Sequence, residues 1–334
     1  MKNLKINTAV LFALVFFVFT ANGLAQTNTD DQPIKVSTVL VNIPVIASDR
    51  QGRYVAGLKK ENFSIVQDGE SQDIEFFADE KAQMNVVILI DVSGSTRPFL
   101  DNIKSSARDF VKIFRPEDRG MIVTFDGGMR ILQEFTSDQK TLSKAINQAN
   151  LYGEPGSNMQ DAMYEIVTRS FTGVQGRKAI IVLTDGFVAG KVISDQKMLS
   201  TLAESDILVY PILFGKRRMN IDLSLLPKTV RFRDGAVLSR EDAIRKIEDM
   251  ANAQLQFMDA LGPTTGGKLL ESKSHDFKAA FQNIADELKN QYLLGFYPQN
   301  TGDGKPHNIG LTVDSKDIVI RSKRNIRLKG GTDN

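Results

Sequence analysis

Residues 85–95 read NVVILIDVSGS, and the fold follows from how this stretch changes character halfway along. Val86, Val87, Ile88, Leu89 and Ile90 form an unbroken apolar run in which β-branched residues dominate. Such a run suits a strand buried on both faces of a parallel sheet. Polarity then returns abruptly. Asp91, Ser93 and Ser95 take alternate positions, Gly94 supplies a tight turn, and a helical pattern begins a few residues later. Strand, polar turn and helix in that order place these oxygen-bearing side chains outside the carboxyl end of a central strand, where open α/β sheets bind ligands. One carboxylate with two hydroxyls suits a hard cation that takes oxygen ligands and keeps part of its water shell.

The DVSGS motif resembles the D-x-S-x-S signature of von Willebrand factor A (VWA) domains, a group that includes the integrin inserted domains and carries a metal-ion-dependent adhesion site (MIDAS). The resemblance implies two further ligands, a Thr in a loop before a later helix and an Asp at the end of a later strand. Residues 154–163, EPGSNMQDAM, resemble the family's G-T-N-x-x-x-A-L loop, with Ser157 where Thr is usual. Residues 179–186, AIIVLTDG, end a buried strand in Asp185 and Gly186, as the family's T-D-G does. Ser in place of Thr keeps the hydroxyl and gives up a methyl group and some stiffness about χ1. The implied metal set is Asp91, Ser93, Ser95, Ser157 and Asp185, with Mg²⁺, or alternatively Mn²⁺ or Ca²⁺, as the cation. In the family's geometry the hydroxyls touch the metal and the Asp residues act directly or through waters. Few direct negative charges leave the cation electrophilic, so a carboxylate from a partner completes its shell. The order of leader, β-rich preamble, VWA core and NQYLLGFYP at 290–298 looks like that of the VWFA-related proteins described mainly from Acidobacteria.

The chain has 334 residues, 42% apolar and 25% charged, which is ordinary for one large or two modest globular domains. Lys and Arg number 42 against 40 Asp and Glu, a formal charge of +2 that removal of Lys2 and Lys5 with a leader brings to zero. No global charge argument for nucleic acid follows. Residues 1–25 read as a secretory leader: Lys2 and Lys5, an apolar run from 9 to 19, and Gly23-Leu24-Ala25 as a small-x-small cleavage site. That run is shorter than the roughly 20 residues of a transmembrane helix, so no spanning segment is expected after leader removal. With no cysteine there is no disulfide, thiol catalysis or thiolate metal site. Export without cysteine fits a bacterial secreted, periplasmic or cell-envelope protein.

Residues 26–34 read as a flexible N-terminus and 35–82 as a β-rich domain, with period-2 alternation at Val39, Val41, Ile43 and Val45 and a hairpin signal at Asp68-Gly69. Residues 83–298 alternate strand and helix as a doubly wound, Rossmann-like α/β sheet does. Residues 299–334 return to strand patterning, and because neither flank is long enough alone they are expected to pack on the 35–82 domain as a small flanking β-sandwich.

Other motifs carry less. Haloacid-dehalogenase-like phosphohydrolases also put a strand-end Asp and magnesium on such a sheet, but they need a second Asp two residues on as general acid, and Ser93 stands there. An enzyme is therefore not expected. His275 and His307 read as surface residues. The basic run 216–233 reads first as a solvated loop; alternatively Arg217 and Arg218, leaving the end of the strand at 207–214, border the metal edge and favour an acidic partner. Glu154 and Asp161 stand near Ser157, either behind the ligands or exposed. The expected function is an exported metal-dependent adhesion module whose cation takes an acidic group of an unidentified protein or surface ligand. The alternative is an envelope scaffold in which the metal is only structural.

Overall fold

The computed structural model describes residues 40–186, 192–214, 226–232, 235–272, 276–299 and 304–328. The expected leader and N-terminal segment, His275, Arg217 and Arg218 lie outside the described residues. Contacts gather Thr38–Asn334 into one compact unit.

At its centre is strand β5 (Met84–Asp91), whose residues are all buried. The sheet around it has six strands in the order β12-β9-β8-β5-β6-β7, with β6 at Arg119–Phe125, β7 at Met129–Thr136, β8 at Arg177–Thr184, β9 at Ile207–Phe214 and β12 at Leu270–Ser272. Every pair is parallel except β6 and β7, which the short turn at 126–128 makes antiparallel. Alternation along β5 sorts the helices into two layers. Val86, Ile88 and Ile90 face helices α1 (Leu100–Val111), α2 (Gln139–Gln148) and α6 (Phe277–Lys289). Val87 and Leu89 face α3 (Met159–Glu165), α4 (Asp195–Ala203) and α5 (Arg240–Thr265). The helices are set by period and caps: Ile103, Ala107, Phe110 and Val111 line the buried stripe of α1, while Asp138 and Ser194 cap α2 and α4 through the amides of Lys140 and Lys197. Each fully buried aliphatic side chain contributes roughly 1.5–3 kcal/mol, so these two layers hold most of the stability. Among the described residues no helix is long and apolar enough to cross a membrane.

The flanks form two four-stranded antiparallel sheets. One has the order β15-β1-β13-β4, with β1 at Val41–Asp49, β4 at Phe76–Ala78, β13 at Gln291–Phe296 and β15 at Ile318–Ser322. The other has the order β16-β14-β2-β3, with β2 at Phe63–Gln67, β3 at Glu70–Gln72, β14 at Pro306–Val313 and β16 at Asn325–Arg327. Ile43, Val45, Tyr292 and Leu294 from the first meet Phe63, Ile65, Ile309 and Ile326 from the second in a single core. Strands from before and after the central domain thus pair with each other, β1 with β13 and β15 and β2 with β14. The β2–β3 turn puts Asp68 and Gly69 at positive φ, 51° and 94°, as a tight two-residue hairpin needs.

Two sequence expectations need correction. Residues 291–296, grouped above with the central domain, hydrogen-bond to β1 and β4 and lie inside the flanking sheet, because their antiparallel register with Val41–Ile46 buries Tyr292, Leu294 and Phe296 in its core. His307 is buried, not a surface residue: it shares the inward face of β14 with Ile309, and its Nδ1 lies 2.7 Å from the Asp68 carboxylate.

Arg177, at the start of β8, is completely buried where the two parts join. Its Nε and Nη2 donate to the Ala82 carbonyl at 2.9 and 2.6 Å, and its Nη1 donates to the carbonyls of Leu288 and, at 3.4 Å, Gln291. One guanidinium therefore ties the segment leading into β5 to the segment leaving α6. Burial lowers its pKa to about 10 and leaves it charged at neutral pH.

Candidate metal centre

The parallel register that sets Ile90 against Leu183 brings the end of β5 alongside the end of β8. Asp91 is there, fully buried, with both carboxylate oxygens engaged. Oδ1 accepts the Ser93 amide at 2.9 Å, closing the turn after the strand. Oδ2 accepts the Thr184 hydroxyl at 2.9 Å and the Ser157 hydroxyl at 3.3 Å. The Ser93 and Ser95 hydroxyls lie 3.2 Å apart in the same turn. Asp185 follows Thr184, is half-buried, and acts on Asp91 electrostatically. Burial first, and the Asp185 charge second, push the Asp91 carboxyl up to about 7.

Ser157 needs its loop held in place. The Asn158 amide donates to the Asp126 carbonyl and its Nδ2 to the Gly127 carbonyl, both at 2.8 Å, so the loop is laced to the β6–β7 turn. A Cβ on Gly127 would sit 2.5 Å from the Pro155 carbonyl oxygen, so this approach admits only glycine. Arg130 reinforces the contact: it donates to the buried Asp126 carboxylate at 3.0 Å, pairs with Glu154, and lies 4.1 Å from the Tyr152 ring centroid. Asp161 accepts the amides of Val192 and Ile193 at 2.6–3.0 Å and so anchors the chain beyond Asp185 to α3.

The structure thus joins Asp91, Ser93, Ser95 and Ser157 through hydrogen bonds and puts Asp185 at the neighbouring strand end. Glu154 and Asp161 serve Arg130 and backbone amides. Sequence reasoning passed over Thr184 and Asp126. The Thr of T-D-G was the available signal for the first; only the folded turn reveals the second. Among the described residues no three His, Cys, Asp or Glu side chains gather, so a cation here rests on hydroxyls with two carboxylates. An all-oxygen donor set around a buried carboxylate whose ionisation is disfavoured until a positive charge arrives fits a hard divalent cation.

Comparison with known proteins identifies the central segment. The family model for the von Willebrand factor type A domain matches residues 86–187. No curated protein matches the chain. Among solved structures, the chain is similar to an aerotolerance-related membrane protein from Bacteroides fragilis NCTC 9343 carrying multiple mutations to serines, at 20% identity over 61% of this chain and 98% of that one, TM-score 0.44. It is similar to the conserved hypothetical protein BatB from Bacteroides thetaiotaomicron at 20% identity over 61% and 97%, TM-score 0.43. Proximal thread matrix protein 1 from the mussel byssus, solved with a zinc-occupied MIDAS motif, is similar at 13% identity over 66% and 48%, TM-score 0.48. Residues 86–187, which supply Asp91, Ser93, Ser95, Ser157 and Asp185, belong to the von Willebrand factor type A domain family.

Proposed function

We propose that this chain is an exported binding protein whose VWA domain holds a divalent cation, Mg²⁺ foremost, and uses it to capture a carboxylate presented by a partner protein or surface ligand. The observation that carries the reading is the buried Asp91 carboxylate, which receives hydroxyls from two other segments, Ser157 and Thr184, beside the paired hydroxyls of Ser93 and Ser95. Ser93, Ser95 and Ser157 would touch the cation, and Asp91 and Asp185 would hold it directly or through waters. With few anionic ligands the bound cation supplies Lewis acidity toward an incoming carboxylate. The absence of a second carboxyl two residues beyond Asp91, where Ser93 stands, favours binding over phosphoryl transfer, which needs a general acid there.

The test is calorimetric titration of the metal-free mature chain with Mg²⁺ and Mn²⁺, followed by retention on immobilised polyglutamate with and without Mg²⁺. One saturable metal site, lost in Asp91→Ala and Asp185→Ala, with Mg²⁺-dependent retention, is the expected result. No metal binding by the wild type would refute it. The hydrogen bonds that tie three segments through Asp91 also favour a second reading, an envelope scaffold in which the metal only stabilises the fold. Metal binding that raises the melting temperature without any retention on polyglutamate would select that one.

A further inference from the structure

We propose that Arg97 and Tyr152 form the selective rim of the metal site, and that they fit an acidic polypeptide segment. In that segment one carboxylate reaches the cation, a neighbouring carboxylate pairs with Arg97, and an apolar side chain lies on the Tyr152 ring. The inference rests on the reading of the site as a metal-centred binding face and adds which partner chemistry it takes.

Arg97 stands two residues beyond Ser95, where the turn that carries the hydroxyls leads into α1. Its amide closes the turn on the Gly94 carbonyl, and its side chain is exposed. Among the described residues no carboxylate pairs with it, in contrast to Arg53, Arg115, Arg130, Arg169 and Arg321, each of which has an acidic partner. The amino-terminal end of α1 adds partial positive charge from its free amides, and a bound cation would add more. Asp91 and Asp185 answer the cation's charge but neither pairs with Arg97, so an incoming carboxylate can take this guanidinium through two parallel hydrogen bonds. A solvated Arg is the bland alternative, and it would show no preference among partners.

Tyr152 lies on another side of the site. The α1 end belongs to the helix layer facing Val86, Ile88 and Ile90, whereas Tyr152 sits in the loop from α2 to α3, over the β6–β7 turn at the far edge of the sheet. The residue is 39% exposed, in a loop that otherwise serves Ser157. What makes it an anchor is its backing. The Arg130 guanidinium stacked behind the ring is held by buried Asp126 and by Glu154, so the cation is neutralised and the ring fixed before a partner arrives. A preorganised aromatic ring loses little freedom on contact, which is why aromatics and arginines dominate interface energetics. Arg97 follows Ser95 by two residues and Tyr152 precedes Ser157 by five, so a segment held at the cation would have a guanidinium and a ring offered from two different loops that carry the ligands.

The experiment is an array of immobilised peptides with a fixed central Glu or Gln and Asp, Lys, Leu or Ser as neighbours, probed with labelled full mature chain in Mg²⁺ and in EDTA. Wild type, Arg97→Gln and Tyr152→Ala are compared, and the Mg²⁺ affinity of each is measured by calorimetry. The expected result is Mg²⁺-dependent binding that requires the central Glu and prefers Asp over Lys beside it. Arg97→Gln abolishes that preference with Mg²⁺ affinity unchanged, and Tyr152→Ala weakens Leu-containing peptides about tenfold more than it weakens their Ser-containing counterparts at saturating Mg²⁺. Mg²⁺-dependent Glu binding with the same neighbour preferences in all three proteins would overturn the rim and leave metal-centred binding standing. Absence of any Mg²⁺-dependent peptide binding by a protein that binds Mg²⁺ would overturn both.

Discussion

Replacing Arg177 by methionine tests whether the junction between the VWA domain and the sandwich is a structural tie. Three short hydrogen bonds run from its guanidinium to the Ala82 and Leu288 carbonyls, and charge-assisted bonds of this kind contribute roughly 1.5–3 kcal/mol each, a gross gain of ~6 kcal/mol. Against this stands burial of the charge. The fall from 12.5 to about 10 corresponds to ~3 kcal/mol held against the ionised form. The net is ~3 kcal/mol, and Arg177→Met should lose about that much because the carbonyls are left without donors. At roughly 2–4 °C per kcal/mol for a domain of this class, the melting temperature should fall by roughly 6–12 °C. Loss of the tie should also uncouple the two parts, so that calorimetric and van't Hoff enthalpies diverge and a second transition emerges. The Arg177→Lys protein, in which a point charge replaces the fork and cannot span both ends, should recover less than half of the loss. A methionine variant that unfolds in one transition within about 0.5 kcal/mol of wild type would refute the reasoning.

Three further outcomes follow from the metal centre. Because the folded protein raises Asp91 from 3.8 to about 7, the metal-free form binds this proton more tightly than the unfolded chain does; the contribution of Asp91 to stability is fully present below pH 4 and is lost as pH rises through 7, by ~4 kcal/mol in all. Thermal melts at pH 5 and 8 should show Mg²⁺ stabilising mainly at the higher pH, and Asp91→Asn should flatten the difference; equal Mg²⁺ shifts at both pH values would contradict this. Thr184→Val removes the donor to Asp91 Oδ2 and the acceptor of the Gly186 amide, and should weaken Mg²⁺ binding by about 10–100-fold in calorimetry with a folded circular-dichroism spectrum retained. Gly127→Ala drives a methyl group into the Pro155 carbonyl and should cost about 1–3 kcal/mol in denaturant melts while displacing Ser157 and lowering Mg²⁺ affinity; unchanged affinity would mean the loop is held otherwise.

The central sheet was legible because its strands carry their burial in their own composition. Residues 86–90, 179–183 and 207–214 are apolar throughout, and a strand buried on both faces has no other pattern available. The position of Asp91 and Asp185 was legible for the same reason, since polar side chains directly after such strands have only the carboxyl edge to occupy. Strand β13 defeated this logic. QYLLGF is as uniformly buried as the central strands, yet its partners are β1 and β4, and composition does not say which sheet a strand joins. His307 was readable in hindsight from parity, two residues before Ile309 on one face of β14. Arg177 was not, because its acceptors are backbone carbonyls 95 and 111 residues away that carry no side-chain signature.

The topology of the flanks has a mechanical consequence. Six residue pairs join Val41–Ile46 to Gln291–Phe296, so the chain before the VWA domain is paired with the chain after it. Tension applied through the segments preceding Val41 and following Leu328 is carried across this ladder and its neighbours in the sandwich, and does not run through β5 or the helices around it. The edge that carries Asp91 and Ser157 lies outside the load path, with Arg177 tying the two parts together. Strain taken up by the flanking strands is thereby kept from the polar edge that β5 carries.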